Sequence, residues 1–175
     1  MNKRIPVVVD TNVLLAANGH DPEWKKISSV CANRLTAIKN GGKICVDSHY
    51  LIVGEYGNKL STSRQSPGDM FFLWVAQNLK NSKFCEQVDI EPDHAKTSFG
   101  KFPKLACELA ARIDPSDRKF IAVAHAHPQK PQILQATDSK WIGWKKGLAA
   151  AGIQVDFVDE KFLHAYYVKK MGQNP

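Results

Sequence analysis

Four acidic residues, far apart along the chain, are the residues best suited to chemistry, and each lies where a predicted strand is followed by a turn or helix. They are Asp10, Glu55, Asp117 and Asp138. Carboxylates that meet at one edge of a sheet repel one another and raise each other's pKa unless a cation is present. Hard divalent cations take such oxygen ligands. The four acids therefore predict a Mg²⁺ or Mn²⁺ site, provided that the fold brings them together.

The elements around these acids alternate between strand and helix. The β-branched run Val7–Val9 precedes Asp10, and a second predicted strand, Ile133–Ala136, precedes Asp138. Such alternation predicts an α/β fold with a parallel sheet and right-handed crossovers. Ligands of these sheets bind beyond the carboxyl ends of the strands. We therefore expect both aspartates at that edge, within a single domain spanning residues 1–175.

Each acid also has a purely structural interpretation. Asp10-Thr11-Asn12 is typical of a turn, and Glu55 is compatible with a solvated helix face. An acid in the first turn of a helix, as at Asp117, is favoured by the helix dipole, and Asp138 could cap the helix that follows it. The metal site is favoured only by the four acids taken together.

Two further acids and one irregular stretch complete the pattern. Asp47 and Asp114 each precede a predicted helix, so we interpret them as helix caps rather than ligands. Residues 84–103 are poorly patterned and predict a short strand at Val88–Ile90 followed by a loop.

The charge of the chain indicates its partners. The sequence contains 24 Lys and Arg against 17 Asp and Glu, a formal charge of +7. This excess favours a polyanion, nucleic acid first, although a basic surface also serves solubility alone. We expect the basic residues near the predicted loop Thr62–Gly68 or near the acids to contact a phosphate backbone. They are Arg64, Arg118, Lys119, Lys140, Lys145 and Lys146.

The location is predicted from apolar runs and cysteines. No stretch approaches the roughly 18 apolar residues of a membrane span, and the N-terminus does not resemble a secretory signal. The four cysteines show no paired spacing. We therefore expect reduced thiols in a cytoplasmic protein that does not contact a membrane.

Several segments together resemble the PIN-domain nucleases. The matching segments are VVVDTNVLL with Asp10, GEY with Glu55, DPSDRKFIAVA with Asp117 and ATDSKW with Asp138. The resemblance implies a three-layer α/β/α Rossmann-like fold with a mainly parallel sheet. It is greatest to a bacterial branch of stand-alone domains, relatives of VapC-type toxins.

The resemblance also implies roles for individual residues. The four acids would bind Mg²⁺ or Mn²⁺ and act in catalysis. The residues expected to orient these acids or to bind substrate are Thr11, Asn12, Arg118, Ser139 and Lys140. Many PIN sequences have a further acid at the position of Lys140, where we expect phosphate contact instead.

The function implied is metal-dependent hydrolysis of RNA, leaving a 5′-phosphate and a 3′-hydroxyl. A toxin with a cognate antitoxin or other protein partner is a common setting for such domains, and homodimers are common. The alternative is a non-catalytic PIN-like module that binds RNA or protein. A metal-dependent phosphatase of related fold is disfavoured, because Asp10 is followed by Thr-Asn rather than by the D-x-D pattern.

Overall fold

A computed structural model describes residues 4–172 of the chain. Within this range the strands are β1 Ile5–Val9, β2 Gly42–Asp47, β3 Cys85–Val88, β4 Gln132–Gln135 and β5 Val155–Phe157. The α-helices are α1 Thr11–Asn18, α2 Lys25–Gly41, α3 Leu51–Lys59, α4 Pro67–Asn78, α5 Cys107–Arg112, α6 Arg118–Ala126, α7 Lys140–Ala150 and α8 Glu160–Met171.

The strands form one sheet in the order β3-β2-β1-β4-β5. Each pair of neighbouring strands is parallel, with Val7 opposite Ile44 on one side and opposite Gln132 on the other. The predicted α/β fold with a parallel sheet is confirmed, and its layering is consistent with a three-layer Rossmann-like arrangement.

The centre of the sheet is β1, because its residues can be buried on both faces. Val8 and Val9 are completely buried, as expected for a β-branched run in a parallel sheet covered by helices. Helices α1, α2 and α4 pack against one another, whereas α6 packs against β1, β2 and β4. The end of β1 is therefore enclosed by helices on more than one side.

Helix α4 approaches α1 very closely at Gly68. A Cβ atom at this position would lie 2.0 Å from the Leu14 carbonyl oxygen, which is far inside van der Waals contact. The Gly68 N–H donates a hydrogen bond of 2.8 Å to Oδ1 of Asn18. The absence of a side chain thus allows α4 to rest directly on the backbone of α1.

The predicted strand at Val88–Ile90 is misplaced. Strand β3 is Cys85–Val88 and pairs with β2 from Ile44 to Asp47. Ile90 is buried beyond the end of the strand, in a segment that turns back through a bridge between Pro92 and Phe99. Burial of Ile90 outside the sheet explains why its apolar character predicted a strand.

No helix within residues 4–172 is both long enough and apolar enough to span a membrane.

Candidate metal-binding site

Asp10 lies directly after the last residue of β1 and begins helix α1. Its backbone N–H donates to the Leu134 carbonyl of β4 at 3.0 Å, and its Oδ1 accepts the Asn12 N–H at 2.8 Å. The residue is only 2% exposed. The turn interpretation and the site interpretation are therefore compatible, because Asp10 caps α1 while lying at the carboxyl edge of the sheet.

Glu55 approaches Asp10 through contacts made by its neighbour on α3. The Tyr56 hydroxyl donates to the Val9 carbonyl at 2.5 Å, which fastens α3 to the last residue of β1. The Thr11 hydroxyl donates to Oε1 of Glu55 at 2.6 Å. Glu55 is thus oriented toward the start of α1 and is not a solvated helix-face residue. Sequence reasoning missed the anchoring role of Tyr56.

Asp117 and Asp138 lie at the starts of α6 and α7. Asp117 is 8% exposed, and its buried Oδ2 has no hydrogen-bond partner among residues 4–172. Asp138 follows β4 and is half-buried, with Oδ1 accepting the Lys140 N–H at 3.1 Å. An unpartnered buried carboxylate oxygen is costly, and it marks Asp117 as an available ligand.

The charges of the four acids interact. Burial is the largest cause that raises the pKa of Asp10 to about 7, followed by the charge of Asp117. Glu55 and Asp138 raise this pKa further, against the lowering effect of the Asn12 N–H. Burial and then the charge of Asp138 raise the pKa of Asp117 to about 7 as well. The acids are therefore close enough together for mutual repulsion.

Three lysines supply positive charge among these acids, and Lys59 Nζ lies 3.3 Å from Oε1 of Glu55. Lys119 Nζ lies 2.6 Å from Oε2 of Glu55, and Lys140 Nζ lies 3.4 Å from Oδ2 of Asp138. Burial opposes ionisation of Glu55, but hydrogen bonds from Lys119 and Thr11 outweigh it and lower the pKa of this carboxyl.

Asp114 does not have the predicted role of a helix cap. Helix α6 begins only at Arg118, and the Asp114 carboxylate forms an ion pair with Lys140. The Pro115–Asp117 turn before the helix shifts its start beyond the position that the Asp-Pro pattern indicated. Lys140 is accordingly engaged by two carboxylates, a contact that its predicted phosphate role did not anticipate.

Asp47 does support the start of a helix, as predicted. Its two oxygens accept the N–H groups of Leu51 and Ile52, each at 2.8 Å. Because both oxygens bond to the backbone, Asp47 is occupied although it lies at the same edge of the sheet. Glu55, and not Asp47, is among the carboxylates whose charge raises the pKa of Asp10.

The remaining predicted residues lie close by but differ in exposure. Asn12 is half-buried, and Ser139 is buried at the start of α7. The Arg118 guanidinium donates to the carbonyls of Ile113 and Thr97, each at 3.3 Å. Arg118 therefore fastens the irregular segment to α6, a structural contact in addition to its predicted substrate role.

The basic residues expected to follow phosphate differ in their exposure and in their ion pairs. Lys119 is only 7% exposed, so it does not lie on a surface that RNA can reach. Lys145 pairs with Glu160, whereas Arg64 and Lys146 are exposed to solvent. The sequence signal for Lys119 was its place at the start of the buried run that continues through Ala124.

The carboxylate groups are suitable ligands for Mg²⁺ or Mn²⁺, but in their present positions they are not close enough together to hold an ion. Carboxylate oxygens are the ligands that these ions prefer, and Asp117 offers an unpartnered one. Within residues 4–172, however, no three Asp, Glu, His or Cys side chains are grouped closely enough to hold an ion. We name Asp10, Glu55, Asp117 and Asp138 together the acidic pocket. Ion binding would therefore require side chains of the acidic pocket to rearrange.

A cavity lies at the opposite, amino edge of the sheet. It has a volume of about 680 Å³ and is lined by residues that include Arg4, Arg34, Lys130 and Asp156. None of the four acids lines it. Because its lining excludes all four acids, it contributes nothing to the candidate metal-binding site.

Comparison with known proteins does not add a family assignment. Neither the protein-family models nor the curated proteins nor the solved structures contain a match to this chain.

Proposed function

We propose that this protein is a PIN-type ribonuclease that hydrolyses RNA phosphodiester bonds with the help of Mg²⁺ or Mn²⁺. The observation that supports the proposal is the convergence of the acidic pocket. Burial raises the pKa of Asp10 to about 7, and the charges of Asp117, Glu55 and Asp138, which are distant along the chain, add to this rise. Such accumulation of negative charge in a buried place is typical of functional sites.

The residues of the acidic pocket have distinct tasks in this proposal. A bound divalent ion supplies activation of the attacking water and neutralises charge on the leaving oxygen. Asp10 and Asp117 would hold the ion most directly, because both are buried and Asp117 has an unpartnered oxygen. Thr11 keeps Glu55 turned toward them, and the Asn12 N–H fixes the rotamer of Asp10.

RNA is the proposed substrate because of the charge of the chain. A net charge of +7 attracts phosphates by long-range electrostatics, and Arg64 and Lys146 are exposed for backbone contact. Such contacts position the substrate without reading its sequence.

A toxin role with an antitoxin partner, or a homodimer, extends the proposal. Buried free thiols at Cys31, Cys45 and Cys85 are compatible with a cytoplasmic setting.

Replacing Asp10 tests the proposal. We expect Asp10→Asn to reduce Mn²⁺-dependent cleavage of single-stranded RNA to the level without metal, because the variant keeps the capping oxygen but loses the charge. The control is Asp156→Asn, which removes a carboxylate that pairs with Arg34 beside the amino-edge cavity. Full cleavage by a folded Asp10→Asn protein would contradict the assignment.

A non-catalytic RNA- or protein-binding module is the second candidate. It is supported by Lys119 and Lys140, which already neutralise part of the acidic pocket. A thermal shift with Mn²⁺ distinguishes the two functions when it is combined with the cleavage assay. Absence of both metal stabilisation and cleavage in the wild type would favour the binding module.

A further inference from the structure

Lys119 makes contacts that differ from those of an RNA-binding lysine. Its ammonium group lies 2.6 Å from Oε2 of Glu55 and also donates to the Ser116 carbonyl. The side chain is 9% exposed, and Nζ lies 4.7 Å from the centre of the Phe120 ring. These contacts fix the charge inside the protein, on the side of Glu55 away from Thr11.

Other lysines near the acids are less restricted. Lys59 also reaches Glu55, at 3.3 Å, but its side chain is 48% exposed. Lys140 is 39% exposed where it contacts Asp138. Exposed side chains can turn toward solvent or phosphate at little cost. Lys119 has no such freedom, because moving away from Glu55 would leave a buried ammonium group without its carboxylate partner.

We propose that Lys119 is a positioning residue of the acidic pocket, the buried counter-charge of Glu55, against which a divalent cation competes when it binds. Only the competition between Lys119 and a divalent cation rests on the proposed metal-dependent function. The role of Lys119 toward Glu55 is independent of any metal.

The proposal predicts opposite effects of one substitution on two properties. Without metal, loss of the ammonium group leaves Glu55 with only Thr11 and the exposed Lys59 as partners, so the protein becomes less stable. With metal, the same loss removes a repelling positive charge from the pocket. Glu55 keeps its orientation because the Thr11 hydroxyl still bonds Oε1. Cation affinity therefore rises.

A double-mutant cycle in EDTA tests the counter-charge role. Lys119→Met and Glu55→Gln each leave the other charged group of the pair without its partner. Each is expected to lower the Tm by roughly 4 °C or more. The double variant is expected to lose clearly less than the sum, because neither charge remains unpaired. Additive losses would overturn this role, since they would indicate packing alone. Lys119→Gln replaces Lys119→Met if the latter does not fold.

A Mn²⁺ titration followed by thermal shift tests the competition. Lys119→Met is expected to bind Mn²⁺ about fivefold more tightly than the wild type or better, given one positive charge removed at close range. Lys145→Met, which removes an exposed lysine paired with Glu160, is the matched control and is expected to leave the affinity unchanged. Equal or weaker Mn²⁺ binding by Lys119→Met would overturn the competition.

The two proposals fail in different ways. If no form of the protein, wild type included, is stabilised by Mn²⁺, the metal-dependent function and the competition are both overturned. Coupling between Lys119 and Glu55 in EDTA would still support the counter-charge role under that result. If the wild type binds Mn²⁺ and the cycle is additive, the proposed function stands and the inference about Lys119 does not.

Discussion

At the scale of single residues, the acidic pocket is a balance between repulsion and local compensation. Asp10 and Asp117 have a pKa raised to about 7, mainly by burial and then by neighbouring carboxylates. Glu55 differs because Lys119 and Thr11 hold its pKa below the ordinary value despite burial. Similar side chains in one pocket therefore have opposite protonation behaviour near neutral pH.

The raised pKa of Asp10 predicts how stability depends on pH. A carboxyl with a higher pKa in the folded state binds more protons there than in the unfolded chain, so stability falls as the pH rises from about 4 to about 7. In EDTA at pH 8, we expect Asp10→Asn to increase the free energy of unfolding by on the order of 2 kcal/mol. Urea denaturation at several pH values measures this gain.

The gain should become smaller as the pH falls through that window, because the wild-type carboxyl then becomes neutral like the amide. Asp156→Asn, at the amino-edge cavity, is expected to give no gain at pH 8. A gain of equal size at pH 8 and below pH 4 would contradict the explanation by the raised pKa of Asp10.

At the scale of elements, strand ends and helix starts bring the acids together. Asp10 was predictable because a buried β-branched strand and a helix flank it, and the parallel sheet was predictable from the alternation of strands and helices. The position of β3 was not, because Ile90 is buried without being in a strand. The contact between Lys119 and Glu55 was also not predicted, since the sequence shows the charge of Lys119 but not its partner on α3, far away along the chain.

Tyr56 predicts a test of how α3 is attached to the sheet. Tyr56→Phe removes the hydroxyl that bonds the Val9 carbonyl and leaves that buried acceptor unpaired. We expect a loss of ~1–2 kcal/mol in the free energy of unfolding and weaker cleavage, because Glu55 lies next in the chain. Tyr50→Phe is the control, since Tyr50 is 47% exposed. Equal losses for both variants would contradict the anchoring role.

At the scale of the whole molecule, the net charge of the chain is opposite in sign to the carboxylates of the acidic pocket. The net charge of +7 belongs to the chain as a whole, whereas four carboxyl groups are concentrated in the acidic pocket. A polyanion approaching the protein is attracted at long range, but each ionised carboxylate of the pocket repels it at close range. A divalent cation bound there would remove this conflict.

Salt dependence tests the long-range attraction. Binding of a labelled single-stranded RNA to the Asp10→Asn protein should weaken with salt, by about 0.7 log units per log unit of salt for each neutralised phosphate. Arg64→Ala with Lys146→Ala should reduce the slope, because both residues are exposed. Lys119→Met should leave the slope unchanged. An affinity that is insensitive to salt would contradict an RNA partner.

The close approach of α4 to α1 limits which sequences can adopt this architecture. Any residue other than glycine at position 68 would press on the Leu14 carbonyl and displace α1, the helix that begins at the first acid of the pocket. A distant relative that retains the same separation of these helices should therefore keep a glycine there. Together with the spacing of the acids, that glycine is a criterion for recognising kin of this chain by sequence.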